Sequence, residues 1–217
     1  METFNFEYTF QGTTGRAFCK NCDFLKSRCL CQWIKLIPNQ THLIILQHPS
    51  ETKHALNTAR IMTKCFKEIS LFVGEDFSEN VVLNTLMSNP DNNIALLYPE
   101  DGAIAFNKTS ASTTFTHLIL LDGTWRKAKK IYLSSMNLQT LPKLSLSPQE
   151  AGQYRIRKSP HTHALSTIEA AVAALNICEP TLDTKAAILS FKKMIDMQIE
   201  KMGFETYQNN YLDKKKE

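Results

Sequence analysis

Short apolar runs that stop at a polar or turn residue recur along the chain and alternate with helix-like stretches. The clearest run covers residues 118–121 and stops at Asp122. Similar runs lie at residues 42–47, 69–73 and 94–98, and residues 141–146 could form a fifth strand or an extended segment. Strands that alternate with helices form parallel sheets, because parallel strands need a crossover connection. The pattern therefore predicts an α/β fold, with a parallel sheet and helices on both of its faces.

The helix-like stretches between these runs have recognisable ends. Helices are predicted over residues 51–66, 79–87 and 184–202, and Gly203 is expected to stop the last one. Another helix opens at a capping box, in which Ser166 is the N-cap and Glu169 is its partner three residues on.

Asp122 lies at the carboxyl end of its predicted strand, which is where open α/β sheets place ligand crevices. Gly123 allows a tight turn after it, and Thr124 can cap the helix that begins at Trp125. That helix would place Trp125, Ala128 and Tyr132 on one face. On spacing alone the alternative is an ordinary strand–turn–helix in which Asp122 itself is the N-cap.

Four of the six cysteines follow the pattern Cys19-x2-Cys22-x6-Cys29-x-Cys31. In an intracellular chain such clustering argues for metal rather than disulfides. Zinc takes four ligands in a tetrahedron, so we predict a structural zinc site, with reduced free thiols as the alternative. We predict three parts of the chain. Residues 1–35 would contain an amino-terminal arm and this zinc-binding segment, residues 36–205 would form the catalytic domain, and residues 206–217 would form a basic tail.

Composition excludes several classes of protein. The chain has 217 residues, of which 43% are hydrophobic and 21% charged, as in globular proteins. Its apolar runs are too short to span a membrane, and the first residues lack the features of a secretory leader. We therefore expect a cytoplasmic protein. The glycines form no dinucleotide-binding or P-loop motif and no nucleophile elbow.

Positive charge is concentrated in three places, although the net charge is only +4. The clusters are Arg16 to Arg28, Arg126 to Lys130, and Arg155 to Lys158. Separated basic clusters fit a nucleic-acid footprint, whereas the alternative for each cluster is a solvated charged face.

Several motifs carry a resemblance to a known family. Asp122-Gly123-Thr124-Trp125 resembles the D-x-T-W signature of the DTW-domain proteins, the tRNA-uridine aminocarboxypropyltransferases. The other matching blocks, in the family's order, are His48-Pro49-x-Glu51, Asn57 to Arg60, Leu97-Tyr98-Pro99, Tyr154-Arg155-x-Arg157 and Leu165-Ser166-Thr167-x-Glu169-Ala170. The family has a similar cysteine set at its N-terminus.

The resemblance implies a fold and an activity. The family is similar to the SPOUT class, whose sheet is threaded into a trefoil knot around S-adenosylmethionine, although chains in general do not thread loops. The implied reaction transfers the 3-amino-3-carboxypropyl group of S-adenosylmethionine to N3 of a uridine in tRNA and releases methylthioadenosine. Two alternatives stay open: a SPOUT-type RNA methyltransferase, and a non-enzymatic zinc-containing RNA-binding module.

The resemblance also implies roles for individual residues. Asp122 would be the general base that removes the weakly acidic proton of N3, and it could also stabilise the positive charge of the sulfonium. Thr124 would fix the turn, and Trp125 would line the cofactor pocket. The expected cofactor-binding residues are Leu97, Tyr98, Pro99, Trp125, Leu165, Ser166 and Thr167. The expected contacts with tRNA phosphates are Arg126, Lys127, Arg155, Arg157 and Lys158. The partner would be tRNA, with neither DNA nor a membrane involved.

Overall fold

A six-stranded parallel sheet forms the centre of the computed structural model. The structure describes residues 17–107, 115–146 and 165–212, and it describes residues 211 and 212 by their backbone alone. The strands are β1 (His42–Gln47), β2 (Ile69–Val73), β3 (Ile94–Leu97), β4 (Ile104–Phe106), β5 (His117–Asp122) and β6 (Lys143–Leu146). Their order is β2-β1-β5-β3-β6-β4, and every neighbouring pair is parallel. The predicted α/β class is confirmed.

Helices cover both faces of this sheet, because side chains alternate between the faces along each strand. Ile44 and Leu46 of β1 pack with α2, α3 and α4, whereas Leu43 and Ile45 pack with α1, α5 and α6. The helices are α1 (Thr58–Cys65), α2 (Val81–Ser88), α3 (Trp125–Ser134), α4 (Met136–Gln139), α5 (Thr167–Cys178), α6 (Lys185–Met202) and α7 (Phe204–Tyr207). Short 3₁₀ turns cover Lys26–Arg28 and Pro49–Glu51, and a π-helical turn covers Gln208–Leu212.

Most predicted boundaries agree with the structure, but the helix predicted over residues 51–66 is wrong in its first half. The helix begins only at Thr58, with Asn57 as its N-cap. The Asn57 side chain accepts from Arg60 N and donates to the carbonyls of Glu51 and Thr52. These bonds fold residues 52–57 into a loop against the helix start. The capping box of Ser166 and Glu169 is confirmed.

Part of the prediction lies outside the described residues. It includes the amino-terminal arm, Arg155, Arg157 and Lys158, and the connections at residues 108–114 and 147–164 on which a trefoil knot would depend. Among the helices in the described ranges, none combines the length and the apolar character that crossing a bilayer requires.

Candidate active site

The side chain of Asp122 ends the central strand β5 and is 7% exposed. Its Oδ2 accepts a hydrogen bond of 2.6 Å from Gln47 Nε2, and its Oδ1 accepts one of 2.5 Å from Thr167 Oγ1. Donors on both oxygens favour the charged carboxylate and fix its orientation.

Three separate elements bring these groups together. Gln47 ends β1 and stands directly opposite Asp122 in the strand register, while Thr167 is the first residue of α5. Gln47 is fully buried, and its Nε2 also donates to Asn57 Oδ1 at 3.2 Å. Its Oε1 has no hydrogen-bond partner within the described ranges. The site therefore contains a buried carboxylate beside a buried amide oxygen that can accept a hydrogen bond.

The turn after Asp122 explains the residues that follow it. A Cβ at Gly123 would lie 3.0 Å from Lys127 Cβ, so glycine allows the helix to start close to the strand. Thr124 Oγ1 accepts from Lys127 N at 3.4 Å and is the N-cap of α3. The interpretation of Asp122 as the cap is therefore wrong, and its carboxylate points to Gln47 and Thr167 instead.

Trp125, the first residue of α3, does not join the core of that helix. Its side chain is 37% exposed, whereas Ala128 and Tyr132 on the same helix are buried. An exposed indole one turn from a buried carboxylate can form the wall of a ligand pocket.

Two ion-paired groups hold α3 against the loops that follow β1 and β2. Lys127 Nζ lies 2.6 Å from Glu51 Oε1. Lys130 Nζ lies 2.5 Å from Glu75 Oε2, and Glu75 Oε1 lies 2.8 Å from His48 Nε2. The hydrogen bond from Lys130 lowers the pKa of the Glu75 carboxyl, so this group is charged at neutral pH.

His48 has a positioning role in this loop. Its Nδ1 accepts from Ser50 N at 3.2 Å, which puts the ring proton on Nε2, where it faces Glu75. Its backbone N–H also donates to the carbonyl of Asp122 at 3.0 Å. Of the predicted RNA contacts in the described ranges, Lys127 is thus engaged with Glu51, while Arg126 is exposed.

The first predicted cofactor loop, Leu97 to Pro99, lies at the same edge of the sheet as Asp122, but its side chains point in different directions. Leu97 ends β3 on the face that Asp122 occupies. Tyr98 turns to the opposite face, where its ring stacks on Tyr132 at a centroid distance of 4.5 Å. Pro99 follows at the exposed end of this corner.

The second predicted loop reaches Asp122 directly through one residue. Thr167 bonds the carboxylate, whereas Ser166 is 2% exposed and its hydroxyl contacts Glu169 Oε2 at 2.6 Å. Leu165 immediately precedes this capping box and is partly buried. Thr167 is therefore the side chain of this loop that the structure brings to the carboxylate.

The four clustered cysteines form a candidate metal centre. The Cys19 and Cys31 sulfurs lie 3.6 Å apart, those of Cys22 and Cys29 lie 3.7 Å apart, and all four fall within 4.8 Å of one another. A zinc ion with Zn–S bonds of about 2.3 Å needs sulfur–sulfur edges of about 3.8 Å, which these distances approach. Backbone hydrogen bonds from Cys22 and Asn21 lower the pKa of the Cys19 thiol to about 6, which favours the thiolate at this position. Burial raises the pKa of the Cys22 thiol, and hydrogen bonding with Cys29 raises that of Cys31, so in the absence of metal the proton is lost most readily from Cys19.

Sequence reasoning missed Gln47 and Asn57 as members of the site. The signal for Gln47 is its position, because a polar residue that ends a fully apolar run at a sheet's carboxyl edge must find a buried partner. Nothing in the sequence says that this partner is Asp122, 75 positions away.

These features define a class of protein: an α/β protein with a buried carboxylate at a point where the strand order reverses, together with a four-thiol candidate metal site. The model of the DTW domain matches residues 16–199. The chain belongs to the DTW-domain family.

Curated relatives carry the same family name across distant organisms. The chain is 34% identical over 173 residues to tRNA-uridine aminocarboxypropyltransferase 2 of Mus musculus, an alignment that covers 76% of this chain and 57% of the mouse protein. The protein of that name from Drosophila melanogaster is 30% identical, in an alignment that covers 73% of this chain and 66% of the fly protein. tRNA-uridine aminocarboxypropyltransferase A of Arabidopsis thaliana is 26% identical, in an alignment that covers 76% of this chain and 74% of the plant protein.

The chain thus spans about three fifths of the length of the mouse relative that it matches. No solved structure matches the chain.

Proposed function

We propose that the chain transfers the 3-amino-3-carboxypropyl group of S-adenosylmethionine to N3 of a uridine in tRNA. The observation that carries the proposal is the Asp122 carboxylate, buried at the carboxyl end of the central strand and held by Gln47 and Thr167. Membership of the DTW-domain family and the names of the relatives support the same reaction.

Asp122 would act on the proton of the acceptor base. The N3–H of uracil is a weak acid, and a carboxylate within hydrogen-bond reach removes the proton as the new bond forms. Gln47 and Thr167 hold both oxygens in place and keep the carboxylate charged before the substrate arrives. Burial then keeps water away from the proton that moves.

The residues around Asp122 fit the donor that the family implies. S-adenosylmethionine supplies an electrophilic carbon next to a positively charged sulfur, and Asp122 offers the complementary charge. Gln47 Oε1, buried and without a hydrogen-bond partner in the described part of the chain, offers an acceptor to a donor group of the ligand. The corner Leu97 to Pro99 and the loop Leu165 to Thr167 would supply backbone groups, with Trp125 as the outer wall.

We further propose that the cysteine cluster holds a structural zinc ion. Four thiolates complete a tetrahedron by themselves, so no position would be left for a substrate. The segment would thus stabilise the fold rather than take part in transfer.

Three finer features belong to the same proposal. The sheet would be threaded in the SPOUT manner, the protein would act on tRNA in the cytoplasm, and Arg126 with Arg155, Arg157 and Lys158 would contact phosphates. Lys127 would contribute to phosphate binding only if its pair with Glu51 opened.

A double-label experiment tests the reaction. Unmodified tRNA is incubated with the protein and S-adenosylmethionine labelled either in the methyl group or in the carboxyl group. The proposal expects carboxyl label in a uridine and no methyl label. Methyl label in the RNA would show a methyltransferase instead, and absence of both labels together with absence of cofactor binding would show an RNA-binding module.

A further inference from the structure

A second cleft lies between the cysteine segment, residues 53–56 and helix α6, and its volume is about 150 Å³. A cavity of roughly this volume holds one six-membered ring, whereas pockets for larger organic ligands begin at about 300 Å³. The cleft is therefore too small for S-adenosylmethionine but large enough for a single flat ring. Its apolar walls include Phe18, Phe24, Leu56, Met194 and Met197.

Cations surround this apolar cleft. Arg28, Lys53 and Arg60 line it, and no acidic side chain of the described ranges does. The Arg60 guanidinium lies over the Phe24 ring, 5.1 Å from its centroid. Lys26 and Lys201 extend the positive surface, because they line an adjacent groove that also includes Arg28. A ligand of this surface would combine a flat apolar group with negative charge.

The loop of residues 52–57 connects the cleft to the candidate active site. Arg60 Nη2 donates to the carbonyl of Thr52 at 3.1 Å, and Arg60 Nη1 donates to the carbonyl of Asp23 in the cysteine segment at 3.3 Å. From the same loop, Asn57 Oδ1 accepts from Gln47, which in turn holds Asp122. The cleft is therefore built on the loop that supports the carboxylate, yet it is separate from it.

We propose that this cleft binds an unpaired nucleotide of the RNA substrate other than the target uridine. Its base would lie against the partly exposed side chains of Phe18 and Met197. The phosphates beside it would contact Arg28, Lys53 and the lysines of the adjacent groove. Aromatic rings and thioethers accept any base face, which suits a nucleotide held by stacking rather than by sequence. The proposal rests on the RNA substrate proposed above.

Equilibrium binding of an unmodified tRNA transcript to the full chain, followed over a range of salt concentrations, tests this inference. The double variant Arg28→Ala, Lys53→Ala is expected to bind more weakly and to lower the slope of log affinity against log salt by roughly 1 to 2. Met197→Ala is expected to weaken binding roughly two- to tenfold with the slope unchanged, because it removes a sulfur–aromatic contact and no charge.

Lys192→Ala is the matched control, because Lys192 is an exposed cation of α6 outside the cleft. Affinities of both cleft variants within twofold of this control would overturn the proposal and leave the cleft to a segment of protein or a small molecule. A transcript containing 4-thiouridine gives a second test, in which crosslinks are expected in residues 17–28 or 194–198. Crosslinks confined to other parts of the chain would also overturn it.

These binding and crosslinking measurements do not depend on whether the protein catalyses the proposed transfer reaction. S-adenosylmethionine binding is expected to be unchanged in all three variants. A chain that binds RNA through the cleft but transfers no carboxyl label would refute the proposed reaction and leave the cleft assignment standing.

Discussion

Two neutral donors from different parts of the chain determine what Asp122 can do. Gln47 reaches it from β1 and Thr167 from α5, and each donates a hydrogen bond to one carboxylate oxygen. These two hydrogen bonds favour the charged form of the carboxylate and fix its orientation. Because both donors are neutral, they stabilise the negative charge without cancelling it.

We predict that Asp122→Asn lowers the rate of carboxyl-label transfer by about 100-fold or more, the usual contribution of a general base. The fold should persist, because asparagine has the same shape and its oxygen can still accept from Thr167. Transfer rates and cofactor affinity, measured on the same preparations, check this. Near-normal turnover would remove Asp122 from the role of base.

Gln47→Leu tests the positioning of the carboxylate. Loss of a buried donor is expected to cost about 1–3 kcal/mol of unfolding free energy. The acid limb of the pH–rate profile should also move to higher pH, because the charged carboxylate loses one of its stabilising hydrogen bonds. Gln208→Leu, at an exposed glutamine, is the control. A slower enzyme with an unmoved profile would mean that Gln47 is merely structural.

Among the elements, helix α5 affects both the stability of the fold and the position of Asp122, because its first residue is Thr167, which donates to the Asp122 carboxylate. Ser166→Ala removes the N-cap and is expected to cost about 1 kcal/mol, together with a fall in transfer rate as Thr167 loses its fixed position. Denaturant unfolding and kinetics check both effects. Ser88→Ala, at an exposed helix end, should change neither. Ser166→Thr should restore both, and its failure to do so would contradict the capping argument.

How far the sequence predicts these elements depends on how strongly each is patterned. β1 and β2 have the expected bounds, because each is a run of residues with strand character followed by a clear stop. β4 was not predicted, since it has three residues and only Phe106 is buried. The start of α1 was placed too early, because the side-chain bonds of Asn57 that fold the loop before it leave no periodic pattern.

For the site, the sequence predicts Asp122 and Thr167 through their motifs, and Thr124 through its capping position. It does not predict that Gln47 and Asn57 complete the site, because their contacts depend on strand order and register. The sequence also does not predict the ion pair between Lys127 and Glu51, because the two residues lie 76 positions apart.

At the scale of the whole molecule, the cysteine segment is joined to the α/β domain through side chains of α1 and α6. Lys64 pairs with Asp23 at 2.8 Å, and Arg28 donates to Gln198 at 2.7 Å. The buried side chains of Cys22, Phe24 and Leu30 extend the main core. A metal ion bound to the segment would therefore contribute to the stability of α1 and α6.

We predict that the purified protein contains zinc and that chelation or Cys22→Ser lowers the midpoint of thermal unfolding by at least about 3 °C, the shift that 1 kcal/mol produces in a chain of this size. Elemental analysis and calorimetry measure both quantities. Cys178→Ser, outside the cluster, should retain the metal. Gently purified protein without zinc would contradict the prediction.

The strand order has a consequence for how the chain is made. β5 is the fifth strand in sequence but lies at the centre, between β1 and β3. Until β5 leaves the ribosome, β1 and β3 each present an unpaired edge, and such edges can pair with other chains. Assembly must then pair β1 with β5, whose partner residues lie 75 positions apart in the sequence, and such distant pairing slows folding. Nascent chains of this protein should therefore depend more on chaperones, and aggregate more readily when translation stops early, than those of a sheet built in sequence order.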